Sequence, residues 1–197
     1  DSIIPKQYAV LMGLLAPQDE LLYNRIAPFY NPDPFDSPLV NLLNVKYVLT
    51  TRPLPNAGYT LVYDEEIQIY RNDRALPRAF MVPHARVIPD RAALLAEMKQ
   101  FDPTREVLLD QQPESNSAAT CALKPVAIDK YSITEVVVTS EQDCAGWLVL
   151  SDSYFPGWLA QMDGKDATLY RADNNFRAVY VPSGAHSIRF KYSPVSF

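Results

Sequence analysis

A chain of 197 residues with 48% hydrophobic side chains can bury one large core or two small ones, so disorder is excluded. Its net charge of −5 is spread along the length and leaves no basic stripe of the kind that nucleic acid requires of a partner. No run reaches the ~20 apolar residues that span a bilayer, since the longest, Ala9 to Ala16, is interrupted by Gly13 and followed by Pro17.

Seventeen prolines, against a usual ~5%, are dispersed and indicate many short elements joined by stiff loops. In chain order, Gln18 to Ile26 reads as a helix with Leu21, Leu22 and Ile26 near one face, acids early and Arg25 late. The loop Asn31 to Pro38 holds three prolines, and Ser37-Pro38 then reads as the N-cap and first position of a short helix through Asn44. Val45 to Thr51 is β-branched and aromatic, which predicts a strand. Tyr59 to Tyr63 and Ile67 to Tyr70 predict a hairpin turning at Asp64-Glu65-Glu66. Ala79 to Val82 and Ala85 to Ile88 read as short strands around Pro83-His84. Asp90 to Phe101 reads as a helix capped by Asp90 and stopped by Pro103. Arg105 to Asp110 closes this part as a strand.

The polar, aperiodic stretch Gln111 to Thr120 marks a change of composition. Beyond it the pattern is almost purely β, with alternation in Ile133 to Thr139 and Trp147 to Ser151. Asp163-Gly164, Asn174-Asn175 and Ser183-Gly184 punctuate the rest. The expected fold class is therefore α+β, mostly β. A mixed α/β part over residues 1–112 and a linker over 113–120 precede a C-terminal antiparallel β-sandwich over 121–197.

Cys121 and Cys144 are too far apart for a CxxC motif. If Leu123–Asp129 and Ile133–Thr139 form a hairpin turning near Tyr131-Ser132, residue 121 returns beside residues 142–144. The two Cα atoms then fall within the ~4.4–6.8 Å of a disulfide. Two buried thiols are the alternative, and a bridge requires an oxidising compartment.

Other candidate chemistry is thin. His84 and His186 have no closely spaced ligand partners, so no metal or other cofactor is expected. No GxSxG elbow supports a hydrolase. Asp163, Asp166 and Asp173 could suggest calcium, but Asp163-Gly164 between two short strands is what a two-residue hairpin demands. Glu65-Glu66 reads as an exposed turn. Tyr154, Phe155 and Trp158 are the one group with two meanings. They could form an aromatic platform for a sugar, or Trp158 could anchor the sandwich, sharing an inward face with Ala160 and Met162.

Several segments in order resemble the YfhO family of bacterial membrane proteins: Ser37 to Thr50 (SPLVNLLNVKYVLT), Leu76 to Phe80 (LPRAF), Ser151 to Trp158 (SDSYFPGW), Met162 to Lys165 (MDGK) and Phe176 to Pro194 (FRAVYVPSGAHSIRFKYSP). The resemblance implies a multispanning protein related to the GT-C class of lipid-linked-sugar glycosyltransferases. It implies that this chain is the soluble part on the extracytoplasmic face of the bacterial cytoplasmic membrane. The implied partners are the membrane-embedded remainder of the same polypeptide and a glycan or lipid-linked sugar. Catalytic residues of that class lie in loops between early membrane helices, so none maps onto this chain. A non-catalytic domain is expected, with a carbohydrate-binding module as the alternative.

Overall fold

The computed structural model describes residues 6–16, 29–115 and 121–194. They divide into two compact units, Asp1–Pro77 with Leu95–Phe101 and Arg78–Leu94 with Asp102–Phe197. Among the described residues no helix is long and apolar enough to cross a membrane.

The first unit contains α1 (Lys6–Leu15), a 3-10 turn at Asp33–Asp36, α2 (Pro38–Leu42) and a three-stranded antiparallel sheet. α2 starts where expected: the Ser37 hydroxyl accepts from the Leu39 N–H at 3.3 Å, and Pro38 occupies the first helical position. The sheet has the order β1-β3-β2, with β1 at Tyr47–Thr50, β2 at Tyr59–Asp64 and β3 at Gln68–Asn72. β2 and β3 form the expected hairpin, with a bulge between Leu61 and Tyr63. Buried Asn72 ties the sheet to α2 and to the connection that follows it, its amide donating to Asn41 Oδ1 at 2.9 Å and to the Val45 carbonyl at 3.0 Å. The helix expected over Gln18 to Ile26 lies outside the described residues.

The second unit is a β-sandwich. Its strands are β4 (Ala79–Val82), β5 (His84–Val87), β6 (Glu106–Leu109), β7 (Ala127–Tyr131), β8 (Glu135–Gln142), β9 (Gly146–Leu150), β10 (Trp158–Met162), β11 (Lys165–Ala167), β12 (Tyr170–Ala172), β13 (Phe176–Val181) and β14 (Gly184–Tyr192). One sheet runs β11-β10-β14-β8-β7, the other β4-β9-β13-β12-β6-β5. Alternate residues of each sheet meet in a common core: Val136, Val138, Ala160, Ile188 and Phe190 from the first, and Met81, Leu148, Leu150, Val179 and Val181 from the second. On the other face of the six-stranded sheet, fully buried Trp147 lies edge-on to Tyr170 and Tyr180, with ring centroids 5.2 and 5.6 Å away.

Two features depart from the expected plan. The division at residues 112–120 is corrected: β4, β5 and β6 lie in the same sheet as β9, β12 and β13, so the sandwich begins at Arg78 rather than 121. Four-residue strands cannot bury both faces alone, and β4 finds its partner in β9, nearly seventy residues on. The sandwich is also not wholly antiparallel, because β5 and β6 pair in parallel. A parallel pair needs a crossover, and the connection here carries α3 (Arg91–Glu97), capped by Asp90 Oδ1 accepting from the Ala93 N–H at 2.8 Å.

The hairpin before β9 is held at its open end by Gln142. Its side-chain oxygen accepts from the Lys124 N–H at 2.8 Å and its amide donates back to the Lys124 carbonyl at 3.0 Å. That clamp lays the segment before β7 alongside the end of β8. Cys121 and Cys144 are joined there, with Cα atoms 6.3 Å apart.

Candidate functional site

The loop Ser151 to Gly157 links β9 to β10 across one end of the sandwich, and its shape follows from its sequence. Phe155-Pro156-Gly157-Trp158 is a type II turn, with proline at its second position and Gly157 at its third, where φ is +99°. The Trp158 N–H donates to the Phe155 carbonyl at 3.3 Å. A Cβ on Gly157 would lie 3.0 Å from both Pro194 Cα and the Tyr192 ring, so a side chain there would crowd its neighbours as well as strain the backbone.

The turn delivers Trp158 to the start of β10, where it pairs with Tyr192 and packs half-buried on the core. Its neighbours alternate as a regular strand requires: Ala160 is 4% exposed and Leu159 is 55% exposed. The Trp158 ring is already in contact. The guanidinium carbon of Arg177 stands 3.5 Å from its centroid, and the Tyr192 ring lies 5.4 Å away.

Arg177 is the unexpected member. It enters β13 on the same face as Val179 and Val181 and is 4% exposed, so a charge occupies the end of an apolar core. Its Nε donates to the Ser153 carbonyl at 3.2 Å, while its Nη1 is buried without a hydrogen-bond acceptor. Burial lowers its pKa to about 10, opposed by the Asp152 carboxylate and the Tyr131 phenol. The stack on Trp158 supplies the favourable contact that the missing acceptor does not.

Beside this pair lies a polar triad. Arg78 Nη1 donates to Asp152 Oδ1 at 2.6 Å and to the Tyr131 hydroxyl at 3.2 Å, and that hydroxyl donates to Asp152 at 3.1 Å. Burial and then the Asp152 charge raise the Tyr131 pKa above its ordinary value. On the other side of the loop, the Tyr154 N–H donates to the Asn175 carbonyl at 2.6 Å, and the Asn175 amide contacts Ser153 Oγ at 3.4 Å. Asp173, in the same turn, is wholly buried, and its carboxyl accepts from the Leu108 N–H at 2.8 Å. Desolvation raises its pKa to about 7. The polar groups of this end therefore hold the loop and one another.

The residues singled out by sequence fare differently. Tyr154 is half-buried, Phe155 is 54% exposed, and Trp158 lies under Arg177, so the three rings do not present one open platform. Asp163 and Gly164 have φ of +53° and +78°, the geometry of a two-residue hairpin turn between Met162 and Lys165. Asp163 accepts from the Ser187 N–H at 2.9 Å and meets His186 Nδ1 at 2.7 Å. These contacts, the imidazole first, hold its carboxyl below the usual range. Asp166 bonds Gln161 and Asp173 is buried elsewhere, and no group of three metal-ligating side chains occurs among the described residues. His84 is exposed. In the first unit a cleft of about 510 Å³ beside β1 is lined by Phe35, Val48, Thr50, Arg52 and Leu54, and Arg52 is its one charged wall.

Arg177, Asp152, Arg78 and Tyr131 escaped the sequence reading. Arg177 left one usable signal, since it stands in phase with Val179 and Val181 in the strand Phe176–Val181. The others come together over separations of 74 and 21 residues.

Residues 100–197 match the family model described as bacterial membrane protein YfhO. The segments Ser37 to Thr50 and Leu76 to Phe80 lie outside that match. No curated protein and no solved structure matches the chain.

Proposed function

We propose, from the premise that the chain belongs over residues 100–197 to the YfhO family of bacterial membrane proteins, that it is a non-catalytic extracytoplasmic domain of a polytopic membrane protein. The observation that carries this reading is the Cys121–Cys144 disulfide, a bond that persists in oxidising compartments and is rare where thiols are kept reduced. Its role is to position a substrate or a partner for transfer of sugars to a cell-envelope acceptor, beside the membrane-embedded remainder of the same polypeptide. The sandwich end supports a holding role over a chemical one. Asp152 is taken by Arg78 and Tyr131, Arg177 by Trp158 and Ser153, and Asp173 by Leu108.

An alkaline phosphatase reporter, active only outside the cytoplasm, placed in the loop at residues 111–115 of the membrane protein tests the sidedness. Activity there supports the reading, and an inactive but expressed fusion refutes it. The alternative, a carbohydrate-binding module, would have to work through Phe155, because the Trp158 ring is occupied. Glycan binding lost in Phe155→Ala at unchanged stability would favour it.

A further inference from the structure

We propose that the sandwich end bearing Ile133 and Phe155 docks on the surface of an anionic phospholipid bilayer; this rests on the reading that the chain is part of a membrane protein. Ile133 is 95% exposed at the tip of the β7–β8 hairpin, and Phe155 is 54% exposed at the head of the type II turn. Neither is displayed by a loose loop. The Ser132 N–H donates to the Glu135 carbonyl at 2.8 Å and the Glu135 N–H returns to Ser132 Oγ at 3.0 Å, so the hairpin tip is locked. Trp158 fixes the other tip through its bond to Phe155.

A ladder of contacts puts both tips at the same end. Trp158 pairs with Tyr192, and the Tyr192 N–H donates at 2.8 Å to the carbonyl of Thr134, the residue after Ile133. Tyr131, 54% exposed, joins the hairpin to Asp152 on the loop. Apolar tips backed by tyrosine and tryptophan match the layering of a membrane interface, where amphipathic rings sit at headgroup depth.

Charge selects the partner. Around these tips stand Arg78, Lys130, Arg189 and Lys191 against Glu135 and Asp152. Glu135 is shared by Lys130 and Arg189, so the rim carries a positive excess on a chain whose net charge is −5. A negative surface attracts such a rim, and each cation near it adds to the attraction. Two inserted side chains and a small positive excess make a weak, reversible contact that orients a domain, not an anchor.

Flotation of the 197-residue chain with vesicles of equal phosphatidylglycerol and phosphatidylcholine, beside vesicles of phosphatidylcholine alone, reads this directly. The chain should float with the anionic vesicles only, and binding should fall steeply in ~0.5 M salt, where the screening length shrinks to a few ångströms. The double variant Ile133→Ser/Phe155→Ser should bind at least about 10-fold more weakly. Lys191→Glu should weaken binding several-fold, and Leu49→Ser, an exposed apolar change in the other unit, should leave it unchanged. All four sites are on the surface, and circular dichroism confirms folding. Absence of flotation, equal flotation of the double variant, or a mass measurement showing that the tips pair two copies of the chain would overturn the proposal. The assay does not depend on sidedness, so it can fail while the reporter fusion succeeds, and the reverse.

Discussion

At the scale of single residues, Trp158 and Asp173 carry the sharpest consequences. Trp158 shares its face with Ala160 and lies between Arg177 and Tyr192, so Trp158→Ala opens a void and leaves the Arg177 guanidinium without its stack. The loss should be about 3 kcal/mol, the lower end for a large aromatic because the ring is only half-buried. Denaturant melts check it, and a change within about 0.5 kcal/mol would mean the ring is displayed. Asp173 makes stability depend on pH. Its carboxyl has a pKa of about 7 in the folded chain against 3.8 when exposed, so the folded state binds the proton more tightly. Stability from this group is therefore full below about pH 4, falls as pH rises, and is lost once pH passes about 7. Asp173→Asn keeps an acceptor for the Leu108 N–H without a charge and should flatten the profile between those limits. Parallel profiles for the two proteins would contradict the assignment. Gly164 is a cleaner case, because a Cβ there would touch nothing within 4 Å. Only the positive φ resists substitution, so Gly164→Val should cost about 1–2 kcal/mol, and calcium should not restore it.

Among the elements, those built from neighbours in sequence were legible and those built across distance were not. The Asp163-Gly164 turn, the β2–β3 hairpin, the Ser37 and Asp90 caps and the β7–β8 pairing follow from local chemistry that a reader of residues can see. β7 begins at Ala127, four residues later than the Leu123–Asp129 strand of the hairpin considered for the cysteine pair, because Pro125 precedes it and Gln142, not the strand ladder, holds residue 124. The pairing of β4 with β9 and of β5 with β6 is invisible in any short window, which is why the domain boundary was misplaced. Likewise, the pairing of Arg78 with Asp152 is set by the sheet that puts Ala79 opposite Leu150. The disulfide spans 23 residues of separation between the start of the β7 segment and the β8–β9 turn. Replacing both cysteines with serine should cost on the order of 3 kcal/mol by the loop-entropy argument. The Gln142 clamp should keep the same native register in the variant, so the melt shifts to lower denaturant, with a slope that is if anything steeper because the uncrosslinked denatured chain exposes more surface.

For the molecule as a whole, the sandwich starting at Arg78 contains the family match from Asp102 onward, and the structure of residues 100–197 alone would lack β4, β5 and the Arg78–Asp152 contact. A piece cut at the family boundary should therefore be less stable than one that begins at Arg78. The proposed placement of this sandwich outside the cytoplasm, as part of a membrane protein, requires an oxidised cysteine pair in the living cell. The redox state of Cys121 and Cys144 in intact cells is therefore the decisive measurement. Cells are quenched with acid and denatured, and the membrane protein is treated with a maleimide-linked polymer before and after reduction. Both thiols should be blocked until reductant is added, and each should then add one polymer chain. Two thiols that react fully without reductant would place the sandwich in a reducing compartment and contradict the account.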